Sequence, residues 1–181
     1  MKLRIKKYMT LDDISKYLYP VKEYVQEKIN NNMFDDWNEY THSIKWLKSC
    51  LDLISKNSDS ILDIYYLEDK GTIIGVIFAL SGNKNILDFL NENNVETNSK
   101  KVAQLSSFHI LKDYRGIGKK WLQNEVLKDL KNQGIEEVYI KSSHNKALDL
   151  YNSLGTLVGN YMGISDSKLY QRYGYIYKID L

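Results

Sequence analysis

Leu111-Lys112-Asp113-Tyr114-Arg115-Gly116-Ile117-Gly118-Lys119-Lys120 joins two segments of different period. Before it, residues 102–111 are rich in β-formers and include Ser106, Ser107 and His109. After it, Trp121, Leu122, Val126, Leu127 and Leu130 recur at helical spacing, and Gly134 supplies a helix stop. The passage therefore reads as strand, glycine turn, helix. Glycines let backbone N–H groups face a ligand without a Cβ in the way, and a helix start adds partial positive charge. Arg115, Lys119 and Lys120 bring full charges to the same turn, so a phosphate or pyrophosphate is the natural guest. Two common phosphate motifs fail here. In GxxxxGK[ST], Asp113 would stand at the first glycine and Lys120 at the hydroxyl residue; in GxGxxG, Trp121 would stand at the third glycine.

Upstream, Leu3 and Ile5, with Tyr8 as a further candidate, alternate with basic residues and suggest a first strand. Thr10 with Asp12 and Asp13 marks a helix start, and Pro20 should bend or divide the helix that follows. Ile44, Trp46, Leu47, Leu51 and Ile54 indicate a second helix. Residues 61–67 and 72–80 are strand-like around Glu68-Asp69-Lys70-Gly71, which reads as a hairpin turn. Residues 82–101 are polar and Asn-rich and read as a long loop with one helical turn near Ile86 to Leu90. Downstream come a strand at 137–141, a helix at 144–154 closed by Gly155, and strands at 156–163 and 174–181. Neither a repeat nor a linker interrupts the chain, which reads as a single α/β domain over 1–181.

With 181 residues and 43% hydrophobic content, the chain can bury a sizeable core. Lys+Arg 25 against Asp+Glu 23 leaves a net charge of +2, which gives no electrostatic reason to expect nucleic acid or a membrane surface as partner. One cysteine, Cys50, excludes internal disulfides and Cys-rich zinc sites; no metal is expected, and a reducing, cytoplasmic setting is consistent. Cys50 falls in a helical pattern and reads as a small buried hydrophobe.

The glycine turn resembles the acyl-coenzyme-A signature [Q/R]xxGx[G/A] of the GNAT N-acetyltransferase superfamily, and Leu111 to Gly116 is similar to the family's usual approach to that turn. Two alignments stay open: Gly116-Ile117-Gly118 on the final GxG, which puts Asp113 at the leading position, or Arg115-Gly116 on the family's Arg-Gly, which shortens the loop. A second passage resembles the family's NxxAxxLYxxxGF. Ala147, Tyr151 and Gly155 have its spacing, while His144 stands at the Asn position, Asn145 follows, and Thr156 replaces Phe. The order of elements is also the family's.

The resemblance implies a mixed, mostly antiparallel central sheet flanked by helices, with two splayed parallel strands, 102–111 and 137–141, forming the acyl-CoA cleft. It implies acetyl transfer from acetyl-CoA to a primary amine of a small molecule or peptide by direct attack. Cofactor contacts are then expected from Ile110, Leu111, Arg115, Gly116, Ile117, Gly118, Lys119 and Lys120, with His144 and Asn145 beside the coenzyme. Tyr151 becomes the candidate acid for the departing thiolate, against the alternative of a core aromatic with a structural hydroxyl partner. His109 is the candidate base, being the strand residue there that titrates near neutrality, against the alternatives of a satisfied structural histidine or a water chain as base; alternation groups it with Leu105, Ser107 and Leu111.

Asp35, Asp36 and Glu39 with Phe34, Trp37 and Tyr40 fit either a pocket for a cationic amine or a solvated acidic helix start. His42 reads as a surface residue. Tyr161, Tyr170, Tyr173 and Tyr175 could line the acceptor pocket or form an edge suited to a homodimer. Two other functions are consistent with the residues: a non-catalytic acyl-CoA-binding or interaction protein on the same fold, and an enzyme acetylating charged transfer RNA. The low net charge disfavours the latter.

Overall fold

The structure, a computed structural model, describes residues 1–33 and 35–181; Phe34 and the side chains of Asn145 and Lys146 lie outside what is described. Its strands are β1 (Lys2–Arg4), β2 (Ile61–Asp69), β3 (Thr72–Asn83), β4 (Lys101–Ile110), β5 (Glu137–Ser142), β6 (Thr156–Ile164) and β7 (Gln171–Asp180). They form one mixed sheet in the order β1-β2-β3-β4-β5-β7-β6. The helices are α1 (Leu11–Ile14), α2 (Tyr19–Asn30), α3 (Glu39–Lys56), α4 (Asp88–Glu92), α5 (Gly118–Trp121), α6 (Lys128–Asn132) and α7 (Asn145–Asn152). The chain packs as two compact units, Met1–Leu80 with Ser106–Gly118, and Ser81–Leu105 with Lys119–Leu181.

In the first unit, β3 is buried without a break from Ile73 to Leu80, as a strand covered on both faces must be. Trp46 of α3 packs over Phe78, with ring centroids 6.3 Å apart. The hairpin turn expected at Glu68–Gly71 is present, with Lys70 at φ 48° and Gly71 at φ 81°. The first strand is shorter than its alternation suggested, and Tyr8 is 77% exposed beyond it. What holds three residues in place is Arg4, whose guanidinium donates in two 2.9 Å hydrogen bonds to the buried carboxylate of Asp63 on β2. Pro20 does divide the N-terminal helix. It sits in the first turn of α2, where its missing N–H costs nothing, after a 3₁₀ stretch over Ser15–Leu18.

In the second unit, β4 and β5 run parallel, with Val102 opposite Glu137 through to Leu105 opposite Ile140. A parallel pair needs a crossover, and the helical segment 118–132 supplies it. That segment is α-helical at both ends and π-helical over Leu122–Leu127, a departure that the apolar spacing does not announce. Its end is a Schellman turn: Ile135 N–H bonds Leu130 O (3.1 Å), Gly134 N–H bonds Lys131 O (2.9 Å), and Gly134 has φ 79°. Val138, Tyr139, Ile140, Ile176, Tyr177 and Ile179 form the core with Trp121, Leu122, Val126 and Leu130. Among the described residues, no helix is long and apolar enough to cross a membrane.

Candidate active site

The glycine turn begins where β4 ends. Leu111 N–H donates to Ile74 O of β3 (2.8 Å) and Tyr114 N–H to Leu111 O (3.0 Å), so both backbone groups of Leu111 have local partners. Its amide is therefore not a free donor beside Ile110. Lys112–Tyr114 form a 3₁₀ turn, and the Tyr114 hydroxyl donates to Asp69 Oδ2 at 2.6 Å. That bond lifts the tyrosine's pKa, because the carboxylate disfavours a phenolate beside it. On the other side, Arg115 pairs with Glu27 of α2, Nη2 to Oε2 at 2.6 Å. Its charge, assigned to a ligand phosphate from sequence, is thus balanced within the protein.

Gly116 follows with φ 99°, a conformation that L side chains rarely adopt, and nothing lies within 4 Å of where its Cβ would be. Among the described residues, the amides of Gly116, Ile117 and Gly118 donate to no backbone carbonyl outside regular elements and to no side chain. Gly118 opens the helix, and first-turn amides have no intrahelical acceptor. Its own surroundings are close. A Cβ there would meet Phe108 Cζ and Ile110 Cδ1, each at 2.9 Å. Ile117 is 44% exposed, and Lys119 and Lys120 are exposed.

Within β4, Ser107 has φ 55°, a left-handed residue that interrupts the alternation. Ser107 Oγ lies 2.7 Å from Ser43 Oγ of α3, and the His109 ring meets Tyr24 of α2 edge-on, with centroids 5.0 Å apart. Ser107 and His109 thus contact the α2–α3 helices, while Phe108 and Ile110 approach the start of α5. Burial raises the pKa of the Tyr24 phenol, and the Glu39 carboxylate adds to the effect.

In the acidic cluster before α3, Glu39 is buried and Asp35 exposed, and both are paired. Lys28, buried on α2, donates to Asp35 Oδ1 (2.7 Å), Trp37 O (3.1 Å) and Glu39 Oε1 and Oε2 (3.1 and 3.2 Å). Asp35 and Glu39 therefore hold an ammonium supplied by the protein itself; Phe34 lies outside the described residues. Desolvation works against the charged form of Lys28, and the hydrogen bonds it donates to the two carboxylates, with their charge, outweigh it, so its pKa is raised. His42, expected at the surface, is half-buried with its ring edge-on to Trp37 (5.9 Å).

In the second unit, Tyr151 lies on α7 with only 7% of its surface exposed, its ring 5.7 Å from that of Tyr177. Among the described residues its hydroxyl has no hydrogen-bond partner, and burial pushes its pKa up to about 12. His144 is the N-cap of α7, and its N–H donates to Ser142 Oγ at 3.3 Å. Gly155 has no room for a side chain, since a Cβ would lie 2.2 Å from Lys178 O. Cys50, 3% exposed, has its thiol pKa pushed up by burial, which keeps the sulfur protonated and unreactive. Among the described residues, no group of three or more His, Cys, Asp or Glu could hold a metal ion. Tyr170 and Tyr173 are largely exposed, whereas Tyr161 and Tyr175 are half-buried.

A mixed seven-stranded sheet with this order, one parallel pair and a glycine-turn helix between the paired strands is the fold of the N-acetyltransferases. The model of the acetyltransferase (GNAT) family matches residues 23–156, and the chain belongs to that family. Solved structures agree at the level of the fold. A probable acetyltransferase from Staphylococcus epidermidis superposes with TM-score 0.60 at 13% identity, covering 99% of both chains. The ribosomal-protein-alanine N-acetyltransferase of Brucella melitensis gives TM-score 0.55 at 14% identity, covering 100% of this chain and 99% of that one. Arabidopsis thaliana NAA60, in complex with a bisubstrate analogue, gives TM-score 0.55 at 15% identity over 90% of this chain and 94% of its own. No curated relative matches the sequence at a significant level.

Proposed function

We propose that the protein transfers an acetyl group from acetyl-CoA to a primary amine of a small molecule or peptide. The observation that carries this reading, beside family membership, is the glycine turn with undonated amides at Gly116, Ile117 and Gly118 heading the crossover helix. Such amides suit the pyrophosphate of the coenzyme, and Lys119 and Lys120 add charge. The amine nitrogen attacks the thioester carbonyl carbon, the C–S bond breaks, and an amide forms. His109 takes the proton lost by the amine, and the Tyr151 hydroxyl donates one to the departing thiolate. Holding amine and thioester together contributes much of the acceleration, and Cys50 has no covalent role.

One observation favours a second reading. The Leu111 amide donates to Ile74 O, which removes a donor that an oxyanion would use, as a non-catalytic acyl-CoA-binding protein would tolerate. Calorimetry of the full chain with acetyl-CoA, followed by thiol release across a panel of amines, separates the two. Binding with acceptor-dependent thiol release supports transfer, binding without release from any amine supports the second reading, and no binding overturns both.

A further inference from the structure

Strand β5 sends Glu137, Tyr139 and Lys141 to one face of its sheet and Val138, Ile140 and Ser142 to the other. Tyr151 covers the second face, because its ring packs on Tyr177, which stands directly opposite Ile140. Lys141 projects from the first. There its ammonium sits 4.4 Å from the ring centroid of Tyr161 on β6 and 5.1 Å from that of Phe89 on α4.

Both rings are fixed by their own neighbours. The Tyr161 ring lies across Gly174 of β7, so closely that a Cβ there would fall 2.1 Å from Tyr161 Cζ. Phe89 meets Tyr139 edge-on, with centroids 6.3 Å apart. Four elements thus hold a cage that the sequence does not announce.

Among the described residues Lys141 has no hydrogen-bond acceptor and no ion-pair partner, although it carries three donors. Burial lowers its pKa, and only the exposed Glu92 of α4, outside ion-pair range, opposes the shift. Lys28 shows the contrast: buried where Lys141 is half-buried, it is supplied with oxygen acceptors by three residues. Ring faces stabilise the charge of Lys141 but leave its N–H groups without acceptors. An anionic oxygen would complete the set.

We infer that Lys141 is an anion anchor, taking a carboxylate or phosphate oxygen of a bound ligand while Phe89 and Tyr161 hold the ammonium from the sides. Two ligands offer that chemistry: an amine acceptor that also bears a carboxylate, and the coenzyme with its phosphates. Assignment to the acceptor rests on the acyl-transfer reading.

The test follows lysine Cε signals by NMR in the ¹³C-labelled full chain, with Lys141 assigned from the signal missing in both Lys141→Arg and Lys141→Met. The probes are 4-aminobutanoate, its neutral amide 4-aminobutanamide, inorganic phosphate and CoA. A saturable shift with 4-aminobutanoate but not the amide, with affinity reduced about tenfold or more in Lys141→Met and kept in Lys141→Arg, supports the acceptor carboxylate. A shift with phosphate and CoA, with CoA affinity falling about tenfold in Lys141→Met, supports the coenzyme as source. A Lys141 signal that no anion moves, or that the amide moves as far as the carboxylate does, overturns the anchor. The wild-type titration stands even if Lys141→Met does not fold. These readouts involve no acyl transfer, so failure of the chain to bind CoA at all sinks the transferase reading while leaving the carboxylate arm intact.

Discussion

Changing Tyr151 to Phe removes one oxygen from a ring that is 7% exposed and packed on Tyr177. The consequence for folding follows from what that oxygen touches. With no hydrogen-bond partner among the described residues, its loss leaves no orphaned group behind, so stability should change by no more than about 0.5 kcal/mol. The consequence for catalysis is of another order. If the hydroxyl protonates the departing thiolate, its removal should slow turnover ~10²- to 10⁴-fold, or about 3–5 kcal/mol in the barrier.

The pH dependence sharpens the test. Burial pushes the phenol up to about 12, so it stays protonated across the neutral and mildly alkaline range. An alkaline loss of activity with a midpoint near an ordinary tyrosine value of ~10 belongs to another group. In stability the sign is the same: the buried neutral phenol favours the fold below the unfolded value near 10, and that contribution is lost as pH rises through about 12. Urea unfolding and single-turnover thiol release, run side by side on wild type and Tyr151→Phe, give both quantities. Equal rates would refute the acid role. A stability loss beyond ~1 kcal/mol would instead show that the hydroxyl has a structural partner.

Three further outcomes are expected. Gly118→Glu brings a negative charge to the glycine turn and crowds Phe108 and Ile110, so acetyl-CoA affinity by calorimetry should drop at least ~100-fold; unchanged affinity would exclude the turn as the pyrophosphate site. Lys28→Met leaves the buried Glu39 and its neighbour Asp35 without their ammonium and should cost about 3–5 kcal/mol in urea unfolding. Because the pKa of Lys28 is raised in the fold, its contribution is fully present below the ordinary lysine value of 10.5 and lost only as pH rises through the raised one. The penalty should therefore be equal in mildly acidic and mildly alkaline buffer, and a penalty that fades in the latter would contradict this. Gly155→Ala sets a methyl against the Lys178 carbonyl, a backbone atom that cannot step aside, so a loss near 3 kcal/mol is expected in the same assay.

The features legible in the sequence are those with local causes. The Glu68–Gly71 hairpin, the strand–glycine–helix passage and the Gly134 stop each announce themselves by turn chemistry or a change of period, and each is present. Gly155 has a cause that spacing alone does not give, the passage of β7 at Lys178. The left-handed Ser107 has no local marker, since nothing in Gln104 to His109 requires a bulge. The Lys28 cluster was half legible: its carboxylates stood out, but the cation that satisfies them comes from the preceding helix. The Lys141 cage was not legible at all, because α4, β5, β6 and β7 meet there only after folding.

The glycine turn is also moored. Tyr114 fastens it to Asp69 of the β2–β3 hairpin and Arg115 to Glu27 of α2, immediately before the residues whose amides stay undonated. A ligand arriving there meets donors whose backbone entropy was already surrendered when the chain folded, so little ordering is left to set against the bonds it forms. Cutting both moorings while leaving every glycine in place should thus weaken binding through flexibility alone, and the arginine closest to the turn would prove to act as a rivet rather than a hand.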